Sequence, residues 1–352
     1  TMHKLSLILV LIFILKTSYS FGKLYSDKDG KRIKFPSYFG EDLWGKKAKP
    51  ITSHGVLYLP KKTLNNSKFP LAILVPGLGG QRGRDNRMCE KLSQNGIACI
   101  GVRTYASRDI PHNQKWSMKF AIAGAGSRMH DAYGALSHLS DLNEIDIKQS
   151  WFIGFSLGGF LAALSLDENF TKNFKKSNTD FKGFINLYGA CQLTNNKNYK
   201  QTIYKHFIGT DDSNYEEKTC KSFIQTIKKR GVNASIKVFK GSQFKSIGHM
   251  WDSMRSAKGM DWYGKPDGPW RLAWHKHRWP QNMVSTYNCG LNFDFKNKKI
   301  FTTNSSILNP TDNDAFKFVS ENCARRKGNT TANQKVMKQV DEEIIKTIKI
   351  NN

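Results

Sequence analysis

Acidic residues are scarce in this chain. Its 352 residues include 28 Asp and Glu against 55 Lys and Arg, so the formal net charge is +27. A surface this basic can attract nucleic acid, anionic lipid or acidic polysaccharide. The lysines are nevertheless scattered, and no compact basic cluster alternates with aromatic residues as in nucleic-acid-binding motifs. We therefore expect a solvated basic surface without specific nucleic-acid binding. A non-catalytic envelope protein that binds polyanions is an alternative.

Long apolar runs are also missing, except near the N-terminus. Leu5–Leu15 is almost entirely apolar but too short to span a bilayer comfortably. It follows a lysine, and Ser18 and Ser20 offer the small residues that a signal peptidase reads. The pattern predicts a cleaved signal peptide over residues 1–20 and a secreted or periplasmic mature chain, 21–352, that meets the membrane only transiently. An uncleaved anchor is the alternative, and the absence of a nearby cysteine excludes lipoprotein processing.

The cysteines number six, and all of them lie beyond that segment: Cys89, Cys99, Cys191, Cys220, Cys289 and Cys323. An even number in an exported chain permits disulfides. We favour the pairs Cys191–Cys220 and Cys289–Cys323, with reduced thiols in the core as the alternative.

Short apolar runs alternate with helical patterns through the first two thirds of the chain. The runs that read as strands are 55–59, 71–75, 97–102, 151–155, 184–187, 207–208 and 236–239, and the helical patterns are 89–95, 127–139 and 157–166. This alternation predicts an α/β fold, with a mostly parallel twisted sheet and helices on both faces.

The C-terminal third has a different composition. Five of the eight tryptophans fall between residues 250 and 280, where little periodicity is visible. We expect one domain, with a core over about 50–255, a Trp-rich insertion over about 256–325 and a final helix over about 331–349. The helix is indicated by apolar residues four apart, at Val336, Val340, Ile344 and Ile348. The insertion either covers the pocket as a wall or lid, or simply packs on the core.

A candidate nucleophile lies in Gly154-Phe155-Ser156-Leu157-Gly158, which fits the pattern G-x-S-x-G. A serine on a sharp strand-to-helix turn has strained backbone geometry, and its neighbours two residues away must lack side chains so that strand and helix can approach. The pentapeptide alone is weak evidence. Here an apolar strand precedes it and a helical pattern follows, so Ser156 is predicted to be the nucleophile.

The base and the acid should follow in the order serine, acid, histidine. His249 lies in a loop just after the predicted strand 236–239, where this architecture places its chemistry, and is our candidate base. His206 lies inside an apolar run and is expected to be a core or flank residue. The acid follows strand 207–208, where either Asp211 or Asp212 could orient the imidazole.

The oxyanion hole should use two backbone N–H groups. One is that of Leu157, the residue after the nucleophile, and the other is that of Leu78, because Pro76 in the same loop as Leu78 has no donor. His275 and His277 are close in sequence, but no carboxylate or cysteine completes a metal-ligand set, so we expect no metal and no cofactor.

In these motifs the chain resembles the dienelactone hydrolase-like branch of the α/β-hydrolases. The matching segments are LAILVPGLGG at Leu71–Gly80, WFIGFSLGGF at Trp151–Phe160, HFIGTDDSNYEEKTC at His206–Cys220, FKGSQFKSIGHMWD at Phe239–Asp252 and ENCARRKGNTTANQ at Glu321–Gln334. The resemblance implies an α/β-hydrolase fold, the acid at Asp212 rather than Asp211, and the histidine at His249.

Two departures from the family pattern bear on the substrate. The founding dienelactone hydrolases carry a cysteine nucleophile, where this chain has Ser156, and the usual His-Gly of the oxyanion loop is Pro76-Gly77 here. We therefore expect cleavage of small carboxylic (acyl) esters through an acyl-enzyme. An acyltransferase or a peptidase with the same triad is the alternative.

Overall fold

A computed structural model provides the structure of the protein. It describes residues 30–39, 49–61, 68–81, 83–111, 119, 122–176, 178–191, 193–194, 199–212, 214–215, 217–241, 247, 257–261, 283–284, 292–295, 298–301, 327–330 and 333–351. The main sheet has eight strands: β1 Lys31–Phe39, β2 Lys49–Tyr58, β3 Phe69–Val75, β4 Ala98–Val102, β5 Ile145–Phe155, β6 Gly183–Leu187, β8 Ile203–Gly209 and β9 Asn233–Phe239. Shorter strands outside it are β7 Leu193–Thr194, β10 Ala257–Asp261, β11 Met283–Val284, β12 Asn292–Phe295, β13 Lys298–Phe301 and β14 Lys327–Thr330.

The strand order in the main sheet is β1-β2-β4-β3-β5-β6-β8-β9. The pairs β1–β2 and β2–β4 are antiparallel, and every following pair is parallel. The prediction of a mostly parallel sheet is therefore confirmed. Because β3 to β9 of this sheet run in one direction, the loops that follow them meet at one edge, which we call the carboxyl edge.

Helices cover both faces of the sheet. The described helices are α1 Gly83–Gln94, α2 Ala125–Leu139, α3 Leu157–Leu164, α4 Glu168–Thr171, α5 Glu217–Lys229 and α6 Gln334–Ile350. Helices α2, α3 and α5 pack on one face, and α1 and α6 pack on the other. Strand β3 serves both layers, since Leu71 and Ile73 face the first and Ala72 and Leu74 the second. All of its residues are buried, as expected for a central strand covered on both sides.

The last helix is attached by both apolar and charged contacts. Val336, Val340, Ile344 and Ile348 are buried against the sheet, and the Asn333 side chain caps the first turn by accepting the Val336 N–H at 3.1 Å. Asp341 is also buried and binds two cations of α1: its Oδ2 lies 2.6 Å from Arg87 Nη1 and 3.2 Å from Lys91 Nζ.

Two disulfides join elements of the described core. Cys191–Cys220 connects the loop after β6 to α5, so this predicted pair is confirmed. Cys89–Cys99 connects α1 to β4 and was not among the favoured pairs. Cys289 and Cys323 lie outside the described residues.

Some elements were not singled out from the sequence. Strand β1 contains Pro36 and exposed basic residues, which weaken a strand signal but are tolerated at the edge of a sheet. Most of the insertion, including all four of its tryptophans, lies outside the described residues, as does the predicted signal peptide. No helix in the described part of the chain is both long enough and apolar enough to cross a membrane.

His206 is a core residue, as expected. It lies on β8, almost fully buried, with Nδ1 3.7 Å from Cys191 Sγ. Burial lowers the pKa of His206 to about 3, because the imidazolium would lose its hydration. In the unfolded chain a histidine titrates near pH ~6.5. Between these two values the unfolded chain takes up a proton that the native protein does not.

We therefore expect acid to destabilise the protein through His206. As the pH falls from about 6.5 toward 3, this residue lowers the free energy of unfolding by up to about 1.4 kcal/mol per pH unit. Urea unfolding at pH 7, 6 and 5 should show a shallower pH dependence for His206→Gln than for wild type. The exposed-site control, His138→Gln, should keep the wild-type slope. If the unfolding free energy of His206→Gln depends on pH as steeply as that of wild type, His206 is not the source of the acid destabilisation.

A second prediction concerns the attachment of α6. Asp341→Asn removes the buried charge that holds Arg87 and Lys91, and should lower the free energy of unfolding by about 1–3 kcal/mol. Glu343 lies on the same helix, and Glu343→Gln breaks only its exposed ion pair with Lys237. This variant should change the free energy of unfolding by less than about 0.5 kcal/mol. Urea titrations of both variants measure the two losses of unfolding free energy. Equal losses in Asp341→Asn and Glu343→Gln contradict the prediction.

Candidate functional site

Ser156 occupies the sharp turn between β5 and α3. Its backbone has φ 52° and ψ −110°, in the left-handed region that residues with side chains rarely adopt. Two hydrogen bonds hold this conformation: the Ser156 N–H donates to Leu187 O at 2.9 Å, and the Phe160 N–H donates to Ser156 O at 2.9 Å. The residue is half-buried at the carboxyl edge.

The two glycines of the pentapeptide allow this turn to close. A Cβ at Gly154 would overlap the Gly158 carbonyl, and a Cβ at Gly158 would overlap the Val75 carbonyl. Strand, turn and helix therefore pack at backbone distance, as G-x-S-x-G requires. The strained serine is held by its surroundings, which is the condition under which such strain persists.

Backbone hydrogen bonds connect Ser156 to the other loops of the carboxyl edge. In three places the residue just after a strand donates its N–H to a carbonyl near the end of the neighbouring strand in the sheet. These bonds are Ser156 N–H to Leu187 O (2.9 Å), Tyr188 N–H to Phe207 O (2.8 Å) and Thr210 N–H to Phe239 O (3.0 Å). The carboxyl edge is thus one connected unit from β5 to β9.

Asp212 lies in the turn after β8 and is fully buried. Its N–H donates to Gly209 O at 3.2 Å, and its Oδ1 accepts the Asn214 N–H at 2.8 Å. Asn214 also donates from Nδ2 to Tyr188 O at 3.0 Å, which connects the turn after β8 to the loop after β6.

Asp211 has a different set of contacts. Its Oδ2 accepts the Ile247 N–H at 2.7 Å, and its own N–H donates to Ile247 O at 3.1 Å. These two hydrogen bonds hold Ile247, two positions before His249 in the sequence, against the turn after β8. His249 itself lies outside the described residues, as do His275 and His277.

The loop after β3 approaches the serine closely. A Cβ at Gly77 would lie 3.1 Å from Ser156 Cβ and 3.0 Å from Phe155 O. A turn follows, closed by the Gly80 N–H donating to Gly77 O at 3.0 Å. Neither the N–H of Leu78, in this turn, nor that of Leu157 donates to a protein acceptor among the described residues. Both are available to a developing oxyanion.

Two buried arginines beside the site were not recognised from the sequence. Arg84 lies over the Phe155 ring, 4.9 Å from its centroid, and Arg128 is fully buried against the loop after β3. An arginine in a helical pattern normally indicates a solvated face. Their roles depend on contacts distant in sequence, so no local signal would have identified them.

Within the described ranges, no group of three or more His, Cys, Asp or Glu side chains is arranged to hold a metal ion. The chemistry that the described geometry supports is nucleophilic attack by a strained serine, with backbone donors beside it.

Comparisons with known proteins place these features in context. A sequence profile of the dienelactone hydrolase family matches residues 54–245, more than half of the chain. No curated protein sequence matches it. Among solved structures, an α/β-hydrolase from a Medee basin deep-sea metagenome aligns with TM-score 0.42 and 17% identity, covering 64% of this chain and 85% of that chain. A thermophilic esterase from Thermogutta terrifontis aligns with TM-score 0.43 and 14% identity, covering 64% and 87%.

The hydrogen bonds between Asp211 and Ile247 can be tested by hydrogen exchange, without a substrate. Asp211→Ala removes the acceptor of the Ile247 N–H, so hydrogen exchange of that amide should accelerate about tenfold, which corresponds to about 1.4 kcal/mol. Asp146→Ala removes a comparable acceptor, that of the Lys148 N–H, in the exposed first part of β5 and should leave the Ile247 amide unchanged. Equal exchange at Ile247 in Asp211→Ala and wild type contradicts the link.

Proposed function

Because the chain belongs to the dienelactone hydrolase family and is a hydrolase that acts on ester bonds, we propose that it cleaves small carboxylic esters with Ser156 as nucleophile. The observation that carries this proposal is the left-handed serine between β5 and α3, packed against glycines that cannot bear a side chain. Such strain is typical of a functional residue. The proposed triad is Ser156, His249 and Asp212.

In the proposed reaction, His249 takes the proton from Ser156 Oγ as this oxygen attacks the ester carbonyl. A tetrahedral intermediate forms and then collapses. The bond to the alcohol oxygen breaks, and the alcohol leaves with the proton from His249. Water, deprotonated by His249, then attacks the acyl-enzyme and releases the carboxylic acid and free Ser156.

The negative charge of each tetrahedral intermediate rests on the former carbonyl oxygen. We assign its stabilisation to the N–H groups of Leu78 and Leu157. Support comes from the close approach of Gly77 to Ser156 and from the position of Leu157 at the start of α3. The first N–H groups of a helix have no partner within it and carry partial positive charge.

Asp212 is the proposed acid, and Asp211 has a supporting role. The Asp211 carboxylate accepts the Ile247 N–H, whereas Asp212 is fully buried where β8 ends, accepts the Asn214 N–H, and matches the acid position of the family that the chain resembles. His249 follows Ile247 by two residues, a reach of at most about 7 Å along the chain. The link between Asp211 and Ile247 therefore supports a histidine close to Asp212.

The setting of the enzyme follows from its disulfides. Two disulfides in the described core indicate an oxidising environment. With the apolar run at Leu5–Leu15, they support a secreted or periplasmic chain from which the signal peptide 1–20 has been removed. We further propose that residues 21–352 form a single domain, in which the Trp-rich insertion borders the pocket.

The central test is labelling by a fluorophosphonate, which reacts with activated serines. Wild type should be labelled at Ser156 and should hydrolyse p-nitrophenyl esters. Ser156→Ala should lose the label and about 10⁶-fold in kcat, and Asp212→Asn about 10⁴-fold, because the imidazole loses its orientation. Ser140→Ala, an exposed serine at the end of α2, should match wild type.

Absence of labelling in folded wild type contradicts the proposal, as does hydrolysis that survives Ser156→Ala. A series of esters of increasing acyl length then defines the substrate. Adding alcohols or amines as acceptors separates hydrolysis from acyl transfer, since only a transferase diverts the acyl group from water.

A further inference from the structure

Arg128 is a fully buried cation that binds only neutral groups. All five of its N–H donors are used: Nε to Pro76 O (3.1 Å), Nη1 to Ala123 O (2.8 Å) and Gly124 O (2.9 Å), and Nη2 to Gly77 O (3.0 Å) and Tyr105 Oη (2.7 Å). Among the described residues it forms no ion pair. A buried charge without a counterion is unfavourable, and packing alone would not require one, since methionine has a similar length.

The contact with Gly77 determines the direction of a neighbouring donor. A trans peptide is planar, so the C=O of Gly77 and the N–H of Leu78 point in opposite directions. The carbonyl points toward Arg128, and the Leu78 N–H therefore points away from it. Arg128 lies behind the peptide whose front face carries one donor of the proposed oxyanion hole.

Tyr105 holds the next peptide in the same way. Its hydroxyl donates to Leu78 O at 2.7 Å and accepts from Arg128 at 2.7 Å. The guanidinium carbon also lies over the tyrosine ring, 4.8 Å from its centroid. Leu78 is thereby fixed on both sides, by Arg128 through Gly77 and by Tyr105 directly.

The peptide held in this way borders the nucleophile, as the 3.1 Å approach of a Gly77 Cβ to Ser156 Cβ shows. A cation bound to the carbonyl of a peptide polarises it and strengthens its N–H as a donor, because linked hydrogen bonds reinforce one another in a medium of low dielectric. The positive charge also remains close to the oxygen that becomes negative during the reaction.

We propose that Arg128 is a positioning residue for ester hydrolysis, which directs and polarises the Leu78 N–H through the Gly77–Leu78 peptide, with Tyr105 as its second support. This inference rests on the proposed function. It adds a cation, contributed by α2 rather than by any residue of the motifs, to the stabilisation of the transition state.

The test compares Arg128→Met and Tyr105→Phe with wild type on a p-nitrophenyl ester. Arg128→Met should lower kcat about 100-fold and Tyr105→Phe about tenfold, with KM within about twofold, because the donor acts mainly in the transition state. Both should weaken inhibition by a trifluoromethyl ketone, whose serine adduct carries the oxyanion, by similar factors. Tyr133→Phe, which removes a buried hydroxyl bound to Asp180, should leave both quantities unchanged.

Results that overturn the inference are a wild-type kcat in both variants, or a raised KM at unchanged kcat. If Arg128→Met does not fold, Tyr105→Phe alone decides. A wild type that neither hydrolyses esters nor reacts at Ser156 overturns the proposed function instead. Hydrogen exchange of the Gly80 amide, which donates to Gly77 O, then tests positioning: faster exchange in the variants supports it, and unchanged exchange contradicts it.

Discussion

The backbone of Ser156 is the constraint on which the site depends. A residue with a side chain is held at φ 52° because β5, α3 and the end of β3 pack at backbone distance around it. That packing requires glycine at positions 154 and 158, and it brings the loop after β3 within contact of the serine. One steric condition thus places the proposed nucleophile, the N-terminus of α3 and the proposed oxyanion loop together.

The carboxyl edge extends this constraint to Asp212, the proposed acid. Hydrogen bonds between successive loops run from Ser156 through Tyr188 to Thr210, beside Asp212, and Asp211 continues the connection to Ile247. These bonds are between backbone groups or from backbone to a short side chain, so they leave little freedom of orientation. The relative placement of the loops is therefore determined by the sheet, with side chains supplying the chemistry.

Sequence patterns predicted the parts that depend on local rules. Apolar runs identified β3 and β5, spacing of four identified α6, and a pentapeptide identified the sharp strand-to-helix turn at Ser156, because each pattern reports the environment of its own residues. What was missed depends on distant partners. Arg128 matters through the carbonyls of Pro76 and Gly77, about fifty positions away. The Cys89–Cys99 disulfide likewise follows from the packing of α1 on β4.

Strand β1 has a consequence for the protein in concentrated solution. It is the outermost strand on its side of the sheet, and no strand of the described chain pairs with its free edge. An open edge invites pairing with another molecule, which starts aggregation. Here Pro36 withholds one donor from that edge, and the exposed charges of Lys31, Arg32 and Lys34 repel an identical strand. The excess of basic residues thus helps to keep individual molecules apart at this edge of the sheet.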